Sequence, residues 1–146
     1  MNLYVAQLSD QETVFKLIRQ YYQYDDITFD AQEIKSGLRL LLENPDFGIA
    51  WLLKLDEKFV GYSIVTFGFD LEFGGSQATL TDLFIEAGYR GKGLGTSALK
   101  MIEANCRKLG FQAIELQVKR ENTQAQKLYG KAGFQEFDRI TMCKRI

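Results

Sequence analysis

The sequence predicts an α/β fold, a mixed central β-sheet of about seven strands flanked by about four helices, in the order β-α-α-β-β-β-α-β-α-β-β. Three observations carry this prediction. Apolar residues recur at helical spacing in four segments. Runs rich in β-formers and bounded by turn residues lie between them. One glycine-rich stretch, YRGKGLG, sits where a strand ends and a helix begins. The 146 residues suit one domain spanning 1–146, and no repeat, low-complexity stretch or Pro/Gly linker divides them.

Leu3–Leu8 reads as a short strand. Ser9 followed by Glu12 has capping-box spacing and opens a helix whose apolar face is Val14, Leu17, Ile18, Tyr21 and Tyr22. YDDITFD reads as a loop. Asp30, with Glu33 three residues on, caps a second helix that turns Ile34, Leu38, Leu41 and Leu42 inward, and Asn44-Pro45 stops it. Gly48–Leu55 and Phe59–Phe67 read as strands around Asp56-Glu57-Lys58, and Gly74-Gly75 marks a second turn. Ala78–Ile85 is the next strand and runs straight into the glycines. Leu94, Ala98, Met101, Ile102, Cys106 and Leu109 form a stripe that predicts a helix over about 94–108, ended by Gly110. Ala113–Val118 is a strand. Asn122–Lys131 is a shorter helix with Ala125, Leu128, Tyr129 and Ala132 on one side. Phe134–Phe137 and Ile140–Cys143 form a closing hairpin.

Composition removes several classes of function. The chain is 46% apolar with eleven Phe and seven Tyr, which builds a core and argues against disorder. A net charge of −1 gives no general affinity for nucleic acid or acidic membranes. No stretch reaches the ~18 apolar residues of a membrane span. The start, MNLYVAQLSD, lacks a basic n-region and an apolar run, so the expected location is cytoplasmic. Cys106 and Cys143 do not make a disulfide framework and read as structural. The chain has no histidine. That removes Ser-His-Asp and Cys-His machinery in their usual form and most zinc sites, so no metal is expected.

The glycines are costly to order, and a glycine turn at a helix start makes an anion site from bare N–H groups and the positive dipole end. Three motifs compete. A P-loop requires Lys followed by Ser or Thr, but Lys92 precedes Gly93. A dinucleotide fingerprint is met at Gly91 and Gly93 but has Thr96 in the third place; Glu115, about twenty residues on, stands where a ribose-binding acid would. Arg90-Gly91-Lys92-Gly93-Leu94-Gly95 fits R/Q-x-x-G-x-G/A best.

That hexapeptide resembles the pyrophosphate-binding motif of the GNAT N-acetyltransferase superfamily, which uses acetyl-coenzyme A. The resemblance covers most of the chain. TLTDLFIEAGYRGKGLG (79–95) is similar to the family's strand, loop and helix start, and NTQAQKLYGKAGF (122–134) to its N-x-x-A-x-x-x-Y-x-x-x-G-F signature. The element order is the one the family implies. LTDLFI and the later Asn and Tyr resemble most the diamine and related small-amine enzymes.

The resemblance implies that the backbone of Gly91, Lys92, Gly93, Leu94, Gly95 and Thr96 holds the pyrophosphate, with Arg90 and Lys92 adding charge. It implies main-chain contacts from Leu83, Phe84 and Ile85 to the pantetheine arm, chiefly through Leu83 and Ile85, with a strand bulge aiming one N–H at the thioester carbonyl. Asn122 either bonds the cofactor arm or only caps its helix. Tyr129 matches the family tyrosine near the cofactor sulfur. It either protonates the leaving thiolate or is part of the core.

A lysine-like amine of pKa about 10.4 is neutral in roughly one molecule in 2,500 at pH 7, so transfer needs a base. Diamine-type members carry glutamate where this chain has Thr81, and a hydroxyl is no base at neutral pH. The proton then goes to Asp82 or to a more distant carboxylate, Glu72 or Asp26, through water, with Thr81 positioning the substrate. Alternation along the strand sends Asp82 and Thr81 to opposite faces. Aromatics beside carboxylates at residues 21–26, Asp30 and residues 70–73 suit a small cationic amine. A homodimer is consistent with the resemblance. The rival readings are a coenzyme A-binding module without catalysis, an enzyme acting on a peptide N-terminus or lysine, and a nucleotide-binding oxidoreductase fragment resting on Glu115.

Overall fold

A computed structural model describes residues 1–146. Its elements are β1 (Asn2–Val5), α1 (Gln11–Tyr24), α2 (Ala31–Glu43), β2 (Gly48–Leu55), β3 (Lys58–Asp70), β4 (Gly75–Ile85), α3 (Leu94–Lys108), β5 (Ala113–Leu116) and α4 (Thr123–Lys131), with short 3-10 turns at Leu8–Asp10, Leu71–Phe73 and Ala87–Tyr89. One five-stranded sheet runs in the order β1-β2-β3-β4-β5. All neighbours are antiparallel except β4 and β5, which are parallel because α3 crosses between them.

Both faces of the sheet are covered, which explains why β2 is apolar from Ile49 to Leu53 rather than alternating. On one face α1 and α2 pack Val14, Phe15, Leu17, Ile18 and Leu38 against Leu52, Tyr62, Ile64 and Phe84. On the other, α3 packs Leu99, Ile102 and Cys106 against Trp51, Val65, Ala78 and Leu80. Burial pushes the Cys106 thiol up to about 11, so it is an inert part of this core. No helix is long and apolar enough to cross a membrane.

Two expectations are corrected. Ser9 and Glu12 do not form the capping box. Asp10 instead accepts from the Gln7 amide at 2.8 Å, one turn earlier, and Glu12 pairs with Lys35 of α2. The sheet has five strands, not seven, because Phe134–Phe137 and Ile140–Cys143 do not join it. Side chains hold this terminal segment in place of a backbone ladder. Phe137 stacks on Phe73 at 6.3 Å, Arg139 forks onto both oxygens of Glu72 at 2.8 Å, and Arg145 reaches Glu33 at 2.9 Å. The expected Asp30 cap is present, accepting from Glu33 N–H at 2.9 Å.

Candidate active site

The site begins where β4 loses its neighbour. β5 pairs only with Gln77–Leu80, so from Thr81 to Ile85 one edge of β4 has no strand beside it. The Phe84 carbonyl points at β3, since a Cβ on Gly61 would lie 2.1 Å from it. Strand alternation therefore turns the main-chain groups of Leu83 and Ile85 toward the open edge. Arg90 already takes one of them: its Nε donates to the Ile85 carbonyl at 2.7 Å, and its guanidinium lies over the Tyr24 ring at 3.9 Å. A bulge interrupts β4 here. Val65 faces Leu80 and Ile64 faces Asp82, which leaves Thr81 as the extra residue. The Thr81 hydroxyl donates to the Ile64 carbonyl at 3.2 Å.

The glycine turn follows. Gly91 and Gly93 have φ of 76° and 75°, a left-handed conformation that side chains disfavour. The first bond of α3 runs from Ser97 N–H to the Gly93 carbonyl, so the consecutive amides of Gly91 through Thr96 have no protein acceptor. They converge with the positive end of a 15-residue helix. Gly95 serves a different need. A Cβ there would lie 3.2 Å from Leu128 Cδ2, so its absence lets α4 approach α3.

A cleft of about 550 Å³ joins these features. Of the residues named from the sequence, Thr81, Leu83, Phe84, Ile85, Arg90, Gly91, Gly93, Leu94, Gly95, Thr96, Asn122 and Tyr129 line it. Asn122 also caps α4, its side-chain oxygen accepting from Ala125 N–H at 3.1 Å. Lys92, Asp82, Asp26 and Glu72 are not among the lining residues. The Lys92 ammonium sits 3.4 Å from the Gly88 carbonyl. Asp26 is exposed with φ of 50°, in the turn that ends α1. Glu72 is held by Arg139, whose hydrogen bonds keep its carboxyl below the usual carboxylate range.

Asp82 turns to the α1/α2 face and Leu80, two residues back, to the α3 face, because the bulge at Thr81 breaks the simple alternation. The Tyr62 hydroxyl donates to its Oδ2 at 2.8 Å. Burial pushes the Asp82 carboxyl up to about 6 against the opposing pull of that hydrogen bond. Tyr129 is raised by burial and then by the fields of Asp25 and Asp82. Tyr21, also in the cleft, is raised by burial and then by the same two carboxylates. Lys119 and Tyr62 escaped the sequence reading, which named Asp25 only within the acidic, aromatic stretch 21–26 and singled out Asp26 instead. Asp25 stood one residue from the chosen Asp26, and only the helix end decides which of the two faces inward. Lys119 and Tyr62 carry no local signal.

Comparisons with known proteins give the family. The sequence model of the Acetyltransferase (GNAT) family matches residues 11–134. The chain is 35% identical over 106 residues to the uncharacterized N-acetyltransferase YycN of Bacillus subtilis, covering 72% of this chain and 65% of that relative. An integron cassette protein from the mobile metagenome of Cole Harbour Salt Marsh superposes with a TM-score of 0.86 at 28% identity, over 99% of this chain and 90% of that one. A predicted acetyltransferase from Clostridium acetobutylicum, solved with acetyl-CoA, shares the fold with a TM-score of 0.83 at 17% identity, over 98% and 95%. The chain belongs to the GNAT acetyltransferase family, which makes it an acetyl-CoA-dependent acyltransferase.

Proposed function

We propose that the chain moves the acetyl group of acetyl-CoA directly to a primary amine of a small cationic acceptor, such as a diamine, polyamine or aminoglycoside. One observation carries this reading. A single cleft joins unpaired helix-start amides, a bare strand edge and Tyr129, and Tyr129 lies in the field of two carboxylates, Asp25 and Asp82. When bound, acetyl-CoA supplies an acetyl group activated as a thioester. The amides of Gly91 through Thr96 suit its pyrophosphate. The open groups of Leu83 and the Ile85 amide suit its amide-bearing arm by strand addition. Asn122 keeps its side-chain NH₂ to donate into the cleft, since only its oxygen serves the cap.

Asp82 acts as the base through water. Raising it to about 6 narrows its gap to an alkylammonium near 10.4 by about two decades. The amine nitrogen bonds to the acetyl carbon as the carbon–sulfur bond breaks. One ammonium proton goes to Asp82 before attack, the Tyr129 hydroxyl protonates the departing thiolate, and the second nitrogen proton, released as the amide forms, restores the Tyr129 hydroxyl. Thr81 lies in the bulge beside this point and positions the acceptor.

Thiol release with acetyl-CoA and pentane-1,5-diamine tests the assignment. Tyr129→Phe keeps the ring that packs edge-on against Phe134 at 5.8 Å. It is expected to lower kcat about 10²-fold with KM little changed. Unchanged turnover would reduce Tyr129 to a core residue. Coenzyme A binding without thiol release to any amine would leave only a binding module.

A further inference from the structure

The C-terminus of α1 already binds cations. It presents the negative end of a 14-residue helix dipole, the Asp25 carboxylate and the Tyr24 ring. Arg90 lies over that ring, and the Lys119 ammonium, arriving from beyond β5, donates to the Asp25 carbonyl and sits 3.6 Å from its Oδ2. The two cations differ in how they are held. Arg90 is also anchored to the Ile85 carbonyl on the sheet. Lys119 is about half exposed, and its ammonium has no partner other than Asp25. The Asp25–Lys119 pair is also shared by two hollows. One is the cleft that holds Tyr129, and the other is a smaller polar hollow of about 390 Å³ lined by Tyr24, Glu121, Asn122, Thr123 and Gln124 besides the pair. A ligand entering from that side meets Asp25 first, and Asp25 is close enough to raise both Tyr21 and Tyr129.

We propose that the end of α1 is the acceptor's ammonium seat, and that Lys119 is its resident occupant, displaced when an alkylammonium binds to the Asp25 carboxylate and carbonyl. This rests on the amine-acetylating reading above and names the residue that recognises the amine. The chemistry is exchange of one primary ammonium for another. The seat therefore selects unbranched alkylammonium groups that can copy a lysine side chain, and rejects anions and neutral amines. Lys119 keeps the seat neutral when the acceptor is absent.

Calorimetric titration with pentane-1,5-diamine tests it, on the wild type, Lys119→Met and Asp25→Asn. A half-exposed ion pair competes weakly, so Lys119→Met should tighten binding about two- to fivefold. Asp25→Asn should weaken it about tenfold, with or without Lys119→Met. Methoxyamine, uncharged at pH 7, should not respond to either change. Lys119→Gln repeats the test if the methionine variant loses thermal stability. Equal or weaker binding after removal of Lys119 would overturn the seat, as would a failure of all three proteins to bind. Thiol release separates this from the reaction. Tight binding without acetyl transfer overturns the amine reading but not the seat. Transfer whose KM ignores Lys119 overturns only the seat.

Discussion

Asp82→Asn is expected to lower kcat/KM by about 10²- to 10⁴-fold, the usual worth of a general base, and to make the protein's stability less sensitive to pH. Both effects follow from one number. The carboxyl stands at about 6 in the fold because burial disfavours its charge, against about 3.9 in an unfolded chain. Below pH 4 both states are protonated and Asp82 contributes no difference. Between about 4 and 6 the folded chain holds more protons than the unfolded one, so stability falls as pH rises. Above 6 the whole cost is present, on the order of 2–3 kcal/mol. The activity limb runs the other way, because the base works only when ionised: kcat/KM should rise through pH 6 and then level. The asparagine keeps an acceptor for the Tyr62 hydroxyl but adds an NH₂ that needs a partner, which offsets part of the gain. The direct readout is therefore the change of Tm between pH 4.5 and 7, which should be smaller in Asp82→Asn than in the wild type. A kcat/KM profile with the same rise near pH 6 in the variant would assign the base elsewhere.

Most of what positions this site was legible in the sequence, because short-range rules govern it. YRGKGLG announced a helix start with free amides, since φ above zero at Gly91 and Gly93 is a local property of glycine. The Asp30 and Asn122 caps are local too. What was not legible depends on contacts across the fold. Gly95 is small because of Leu128, some thirty residues away, and nothing near Gly95 says so. Asp25 rather than Asp26 faces the cleft because α1 ends in a left-handed turn at Asp26. The bulge at Thr81 is fixed by register against Ile64 and Val65, not by any residue type within the strand. The last two strands failed for a related reason. Alternating apolar residues predict a strand, but Ile140 and Met142 remain 79% and 84% exposed, while Arg139 and Arg145 tie the segment to Glu72 and Glu33. A periodic pattern shows that a strand fits, not that a partner strand is present.

Gly93→Ala is expected to cost the cleft its anion site while leaving the strand edge intact. Gly93 sits at φ 75° immediately before α3, and a Cβ there would meet no atom within 4 Å. The penalty is therefore conformational rather than steric crowding, about 1–2 kcal/mol for an alanine held left-handed. The chain can escape that penalty by rotating Gly93 to a right-handed conformation. This would turn the neighbouring amides away from their common focus, and charge-assisted bonds to an anion depend on that focus. Either route weakens coenzyme A, and losing two or three such bonds corresponds to roughly 10²-fold or more in Kd. Asparagine tolerates the left-handed region best among residues with a side chain, so Gly93→Asn should recover much of the loss. The discriminating ligand is pantetheine, which has the arm but no pyrophosphate. Its affinity should be the same in wild type, Gly93→Ala and Gly93→Asn, because Leu83 and Ile85 lie on β4 and not in the turn. Thermal shift with both ligands gives the comparison directly, since saturation at a hundred times Kd adds about 2.7 kcal/mol. If Gly93→Ala lowers the shift for pantetheine as much as for coenzyme A, the turn is a structural element of the whole cleft and not the seat of the pyrophosphate.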